Sequence, residues 1–309
     1  DARAVLSPDV SPKFLDMSGP VGNGVANQAI KDADFVIDAG VGVLYTTLVI
    51  DIKDSGVHSN VLRLFDEPIE KEGYMVNVDL VLYNLLKNSY QLAKKSAWSV
   101  GDPTASFKKI LDVYDSQSNT LGHYVAACMK QFYNNQLIID DDYHHVTDSG
   151  TAAFIAGQLL RMKKPNDGIY TEFAPIGLSM ASAVGKIYGN PRDTVVYLGE
   201  GAFMNMLSSF IDLKVAAMVN NVRVLMLLFD DNKYGNVALG DLVLHKEYTS
   251  VTETVDLKKG FDFEKLLLSQ KPVKLVLGYD KCVIEGFKAK SAGYTEAGLY
   301  IMKMDGVTT

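Results

Sequence analysis

Two short apolar runs constrain this chain most, residues 194–198 (TVVYL) and 222–229 (VRVLMLLF), joined by an apolar stretch at 204–219 of helical length. A strand buried on both faces reads as a near-continuous apolar run, and that occurs when helices cover both sides of a parallel sheet. Strand, helix, strand in this order predicts parallel neighbours with a right-handed crossover. Ligands of such sheets bind outside the carboxyl ends of the strands. Here the two ends read Gly199-Glu200-Gly201 and Asp230-Asp231-Asn232-Lys233-Tyr234-Gly235. Both place oxygen donors at one edge of the sheet.

The same reading extends along the chain. Residues 34–39 (DFVIDA) and 47–52 (TLVIDI) are β-rich runs, and 76–92 carries Val78, Leu82, Leu85, Leu86 and Leu92 at helical spacing. Residues 96–106, with Gly101, Asp102 and Pro103, lack periodicity and read as a linker. Beyond it, a helix is expected at 121–132, a strand at 144–148 running into Ser149-Gly150-Thr151, and a tightly packed helix at 175–188. The expected fold class is α/β: a doubly wound parallel sheet at 107–309 preceded by a smaller, partial α/β segment at 1–98. A length of 309 residues accommodates both.

Charge and composition narrow the partners. With 30 Lys and Arg against 37 Asp and Glu the net charge is −7, the wrong sign for a phosphate-backbone binder, so no nucleic acid is expected. No apolar run approaches the ~18–20 residues of a membrane span, so no membrane is expected either. Asp1-Ala2-Arg3 opens no basic segment followed by an apolar stretch, and two cysteines, Cys128 and Cys282, give neither a disulfide framework nor a zinc spacing. A cytoplasmic setting is expected, with both thiols buried.

The strand ends carry the chemistry. Glycines flanking Glu200 allow a tight turn, and backbone N–H groups at the start of the following helix can hold an anion. Carboxylate, amide and carbonyl oxygens suit a hard cation such as Mg²⁺, which binds phosphates through shared coordination. The combination reads as a metal–diphosphate site.

On these residues the chain resembles the thiamine-diphosphate-dependent enzymes, whose signature is Gly-Asp-Gly, a helix and strand, then Asn-Asn. Here the two halves are Gly199-Glu200-Gly201 and Asp231-Asn232, with 29 residues between Gly201 and Asp231. Asp148-Ser149-Gly150-Thr151-Ala152-Ala153-Phe154 is similar to the Glu-Thr-Gly-Thr-Ser-Ala-Phe of the pyruvate decarboxylase and 2-oxo acid decarboxylase group. Phe173-Ala174-Pro175-Ile176-Gly177 is similar to that group's Trp-Gly-Ser-Ile-Gly. The N-terminal DADFVIDAG and LVIDI look like the end of its middle domain.

The resemblance implies thiamine diphosphate and Mg²⁺ as cofactors and decarboxylation of a small 2-oxo acid as the activity. It makes Glu200 and Asn232 side-chain metal ligands, with Tyr234 supplying a backbone carbonyl. Gly150, Thr151, Gly199, Gly201, Ala202 and Phe203 would line the diphosphate, and Ala174 and Ile176 would hold the pyrimidine and thiazolium. The Asp230-Asp231-Asn232 form also looks like transketolases, so a transketolase-like or acetolactate-synthase-like carbon–carbon transferase is an alternative. Another is a non-catalytic cofactor-binding subunit.

Three departures from the family pattern shape further expectations. Glu200 adds a methylene where the signature has Asp, which is expected to displace the metal or the turn. Asn236, Val237 and Ala238 stand where decarboxylases carry a glutamate after Asn-Asn. The cofactor-activating glutamate belongs to a pyrimidine-binding domain that these residues do not show, so a homo-oligomer or a partner chain carrying that domain is expected. An apolar patch of Phe173, Ile176, Phe203, Met204 and Met206 would form the contact. His144-His145 is expected as a solvated or strand-edge pair, and Asp140-Asp141-Asp142 as a polar loop.

Overall fold

A computed structural model describes residues 26, 28–30, 33, 36–39, 61–64, 112–133, 143–159, 168–169, 175–231, 235, 263–269 and 273–306. The chain divides into two compact units, one of Asp1 with Ser11–Gly101 and one of Ala2–Val10 with Asp102–Thr309. In the first unit, β1 (Val36–Ala39) pairs in parallel with β2 (Val61–Leu64), Val36 opposite Val61 and Ala39 opposite Leu64. The expected strand at 47–52, helix at 76–92 and linker at 96–106 lie outside the described residues.

The second unit holds a six-stranded, wholly parallel sheet. Its strands are β3 (His144–Thr147), β4 (Gly168–Ile169), β5 (Thr194–Gly199), β6 (Arg223–Asp230), β7 (Val273–Leu277) and β8 (Gly298–Asp305), in the order β4-β3-β5-β6-β8-β7. Three helices pack on one face: α1 (Leu121–Tyr133), α2 (Thr151–Leu159) and α7 (Lys281–Ala289). The other face carries α3 (Leu178–Gly189), α4 (Glu200–Asn205), α5 (Leu207–Val219) and α6 (Phe263–Ser269). This is the doubly wound α/β architecture expected from the sequence.

Alternation along β6 shows why the run is apolar throughout. Leu225, Leu227 and Phe229 enter the first core, while Val224, Met226 and Leu228 enter the second. All eight β6 residues are buried. At about 25 cal/mol per Å² of apolar surface, a strand filled on both faces is a main source of stability, and polar side chains survive in it only with partners.

Two expectations about elements are corrected. The helix expected to start at 175 begins at Leu178, because Gly177 adopts φ +93 and breaks the path. The single helix expected over 204–219 is two, α4 and α5, separated at Met206. The paired histidines are neither solvated nor peripheral: His144 and His145 are buried in β3. His144 Nε2 lies 2.7 Å from the Asn190 carbonyl, and the His145 ring stacks on Tyr197 at 6.0 Å with Nδ1 3.1 Å from the tyrosine hydroxyl. Desolvation, with the charges of His144, Arg192 and Lys288 adding to it, lowers the His145 pKa to about 3. Cys128 is buried as expected, whereas Cys282 is exposed in the first turn of α7.

Candidate functional site

The strand order sets where a ligand can sit. From β3 the chain moves outward to β4 and then returns to place β5 on the other side of β3, so the winding reverses between β3 and β5. At such a switch point the loops after the two strands diverge and leave a crevice at the carboxyl edge. The β3 end carries Asp148, Ser149, Gly150 and Thr151; the β5 end carries Gly199, Glu200, Gly201, Ala202 and Phe203.

Asp148 organises one wall. It is fully buried, and its Oδ1 accepts hydrogen bonds from the backbone N–H groups of Ser149 and Gly177, each at 2.9 Å. Its Oδ2 accepts from the N–H of Ser179, also at 2.9 Å. Helix α3 lacks a cap from its own flanking residue, so a carboxylate from the end of another strand satisfies its first donors instead. Ser149 Oγ donates to the Pro175 carbonyl at 2.9 Å, and Asn205 Nδ2 donates to the Ile176 carbonyl at 3.0 Å. The 175–177 turn is thus clamped from both sides, with Ile176 projecting 42% exposed. Gly177 cannot carry a side chain here, since a Cβ would lie 2.2 Å from Met206 Cγ at a φ that L residues avoid.

Glycine is needed at positions other than those flanking Glu200. Gly199 has extended backbone, φ −85, and Gly201 is within α4; the left-handed glycines at this edge are Gly150, φ +111, and Gly177. Among the described residues nothing lies within 4 Å of a Cβ built at Gly150, so its surroundings are open. Thr151 begins α2 and is half-buried, Gly201 and Ala202 are buried, and Phe203 turns its ring into the core, 5.3 Å from Phe210. That last placement corrects the apolar patch: Phe203 is wholly buried and Met204 and Met206 pack against the core, leaving Ile176 as its exposed described member. Phe173, Ala174, Asn232 and Tyr234 lie outside the described residues, as does the Asp140-Asp141-Asp142 loop.

At the ends of the adjacent strands β5 and β6, two carboxylates meet. Glu200, 3% exposed, shares a side-chain hydrogen bond with Asp231, and desolvation, Asp231 and Asp230 together push its pKa up to about 9. Burial and the neighbouring carboxylates favour the protonated form of Glu200, and a cation at this corner would favour the ionised one. At Glu200 itself, β5 keeps its pairing with β6 to Gly199 opposite Phe229 and α4 follows directly. The sequence left open whether Asp231 or Asn232 is the metal ligand beside Glu200; the structure places Asp231 against Glu200, and Asn232 lies outside the described residues.

One position further back, Asp230 is buried and pairs with Lys303 of β8, Nζ to Oδ2 2.8 Å. Lys303 also reaches exposed Asp305 at 2.6 Å. Burial works against its charge, but the two aspartates outweigh it and raise its pKa. Nothing in residue spacing pointed to Lys303; it lies 73 positions from Asp230 and meets it through the β6–β8 register. Among the described residues no group of three or more His, Cys, Asp or Glu side chains is arranged to hold a metal by itself.

Residues 148–276 match the family model described as thiamine pyrophosphate enzyme, C-terminal TPP binding domain. This part of the chain is similar to a thiamine-pyrophosphate-binding domain. The match starts at Asp148, spans both strand ends with Glu200 and Asp231, and supports kinship with thiamine-diphosphate enzymes. No curated protein matches the chain. None of the described helices is long and apolar enough to cross a membrane.

Proposed function

We propose that the chain binds thiamine diphosphate together with Mg²⁺ at the β3/β5 edge and serves decarboxylation of a small 2-oxo acid in the cytoplasm. The observation that carries this reading is the Glu200–Asp231 pair, two acidic side chains that meet just past the ends of the adjacent parallel strands β5 and β6 inside the matched segment. The donor set fits a hard divalent cation, and with too few protein ligands for a closed cage such an ion completes its shell with phosphate oxygens and water. Asn232 and the Tyr234 carbonyl are proposed as further ligands. The bound cofactor would supply a nucleophilic carbon and an electron sink.

This chain's residues do the holding. Gly150 and Thr151, at the start of the nine-residue helix α2, offer backbone N–H groups to the diphosphate beside open space. Ile176, fixed through its backbone by Asp148 and Asn205, offers an apolar support to the rings, with Ala174 beside it in sequence. Lost solvation around Glu200 strengthens every charge interaction there.

A partner is proposed as well, either a second copy or a chain carrying a pyrimidine-binding domain. Helix α5 exposes Ile211, Val215 and Met218 at helical spacing, an apolar stripe that water does not favour. A carbon–carbon transferase is the second reading, favoured by an aspartate, Asp231, in the place of an asparagine beside Glu200. Calorimetric titration with thiamine diphosphate and Mg²⁺, followed by assay of CO₂ release from 2-oxo acids, separates these readings. Binding with CO₂ release and a free aldehyde as the other product supports the lyase. Binding with formation of a new carbon–carbon bond, with or without CO₂ release, supports the transferase, and binding with neither supports a non-catalytic subunit. Absence of binding removes the proposal.

A further inference from the structure

We infer that Lys303 is a positioning residue that makes metal binding at the Glu200–Asp231 corner depend on the diphosphate, by holding Asp230 out of the site as a neutralised partner. The inference rests on the proposed metal–diphosphate site and deepens it. Three carboxylates, Glu200, Asp230 and Asp231, lie at the ends of β5 and β6, Glu200 and Asp230 each following one member of the Gly199–Phe229 pair that closes the two strands. Three carboxylates facing one point would be a protein-only cation site that needs no phosphate. Asp230 instead turns to β8, where Lys303 Nζ sits 2.8 Å from its Oδ2, both side chains being buried. Asp305, the other partner of Lys303, is 70% exposed and screened by water.

The charge count follows from this geometry. With Asp230 cancelled, the corner presents two negative charges, which one divalent cation balances while still tolerating a polyanion. With Asp230 uncancelled it presents three, which attracts a bare cation more and repels a diphosphate more. Neighbouring strands lie about 5 Å apart, and a unit charge one or two strands away shifts a binding constant by about tenfold in a partly solvated site. Removal of Lys303 therefore moves the two affinities in opposite directions. Damage to the fold moves both the same way.

The experiment uses the full chain and two titrations followed by calorimetry: Mn²⁺ alone, and thiamine diphosphate at saturating Mn²⁺. Lys303→Met is expected to tighten Mn²⁺ alone by about tenfold and to weaken thiamine diphosphate by about tenfold. Asp230→Asn leaves the lysine uncompensated on that side and is expected to weaken Mn²⁺ alone. The double variant Asp230→Asn/Lys303→Met has no net change in charge and should return both affinities to within about threefold of the starting protein. Parallel weakening in Lys303→Met with no recovery in the double variant, or no change in either titration, overturns the role of Lys303 while leaving the site standing. Failure of the unaltered chain to bind Mn²⁺ with thiamine diphosphate overturns the site and the inference together.

Discussion

The two edges of the same sheet treat charge in opposite ways. At the amino edge, Arg223 opens β6 as a buried cation whose needs are met: Asp193 Oδ1 accepts its backbone N–H at 2.8 Å, and Oδ2 accepts from Nε at 3.0 Å and from a terminal guanidinium nitrogen. The remaining guanidinium nitrogen donates to the carbonyls of Phe287 and Tyr294 at 2.6 and 2.8 Å, and the plane lies 4.4 Å from the Phe287 ring centroid. At the carboxyl edge, two acidic groups, Glu200 and Asp231, are brought together, and burial with the neighbouring aspartates raises the Glu200 pKa. A fold tolerates such a cost where a ligand repays it, so the contrast separates the edge that holds the sheet from the edge that uses it.

Breaking the amino edge is expected to give the largest effect. Arg223→Met removes a buried cation, strands Asp193 and two carbonyls, and should cost about 3–5 kcal/mol in urea unfolding. Thiamine diphosphate affinity of the molecules that remain folded should be unchanged. A stability change under 1 kcal/mol would show that the amino edge is not the anchor claimed here.

The His145 side of the sheet offers a pH test. Its folded pKa, about 3, is below the ordinary 6.5, so the unfolded chain binds a proton that the folded chain refuses. The stability linked to this group is full above pH 6.5 and is lost as pH falls from 6.5 toward 3, by about 2 kcal/mol at pH 5. His145→Phe, which fits a site already walled by Phe132, Tyr143 and Tyr197, should remove that slope. An unaltered slope in chemical denaturation between pH 7 and 5 would place the titration elsewhere.

A smaller loss is expected where the carboxyl edge is braced. Gly177→Ala forces a Cβ onto Met206 and an alanine into a left-handed backbone, costing about 1–2 kcal/mol. Trimming the neighbour in Gly177→Ala/Met206→Ala relieves the collision but not the backbone strain, so cofactor affinity should recover only in part. Full recovery would mean that the left-handed conformation is not required.

What the sequence could reveal follows from range. Residues 222–229 announce a doubly buried strand because the signal is local and continuous. Asp148 looks like one letter of a motif, yet its work is done on N–H groups of Gly177 and Ser179, about 30 residues away. The break at Met206 sits inside the stretch 204–219 that reads as one helix; it coincides with a tertiary bond, Asn205 to the Ile176 carbonyl, which no helical period encodes. Lys303, in LYIMKMD, reads as the polar member of an alternating strand facing water. It is buried because β8 lies against β6 and sets Lys303 beside Leu228, with Asp230 next on that face. Local pattern showed the strands and their chemically loaded ends, and only the register showed which charges cancel.

The most direct measurement compares thiamine diphosphate binding in Mg²⁺ with binding in a chelator, for the unaltered chain and for Glu200→Gln, which keeps shape and removes charge. Saturable binding that needs Mg²⁺ is expected for the unaltered chain, with affinity lower by at least about tenfold in Glu200→Gln, the loss of one charged ligand contact. Equal affinity with and without Mg²⁺, or an unaffected Glu200→Gln, would contradict a metal–diphosphate site at the ends of β5 and β6.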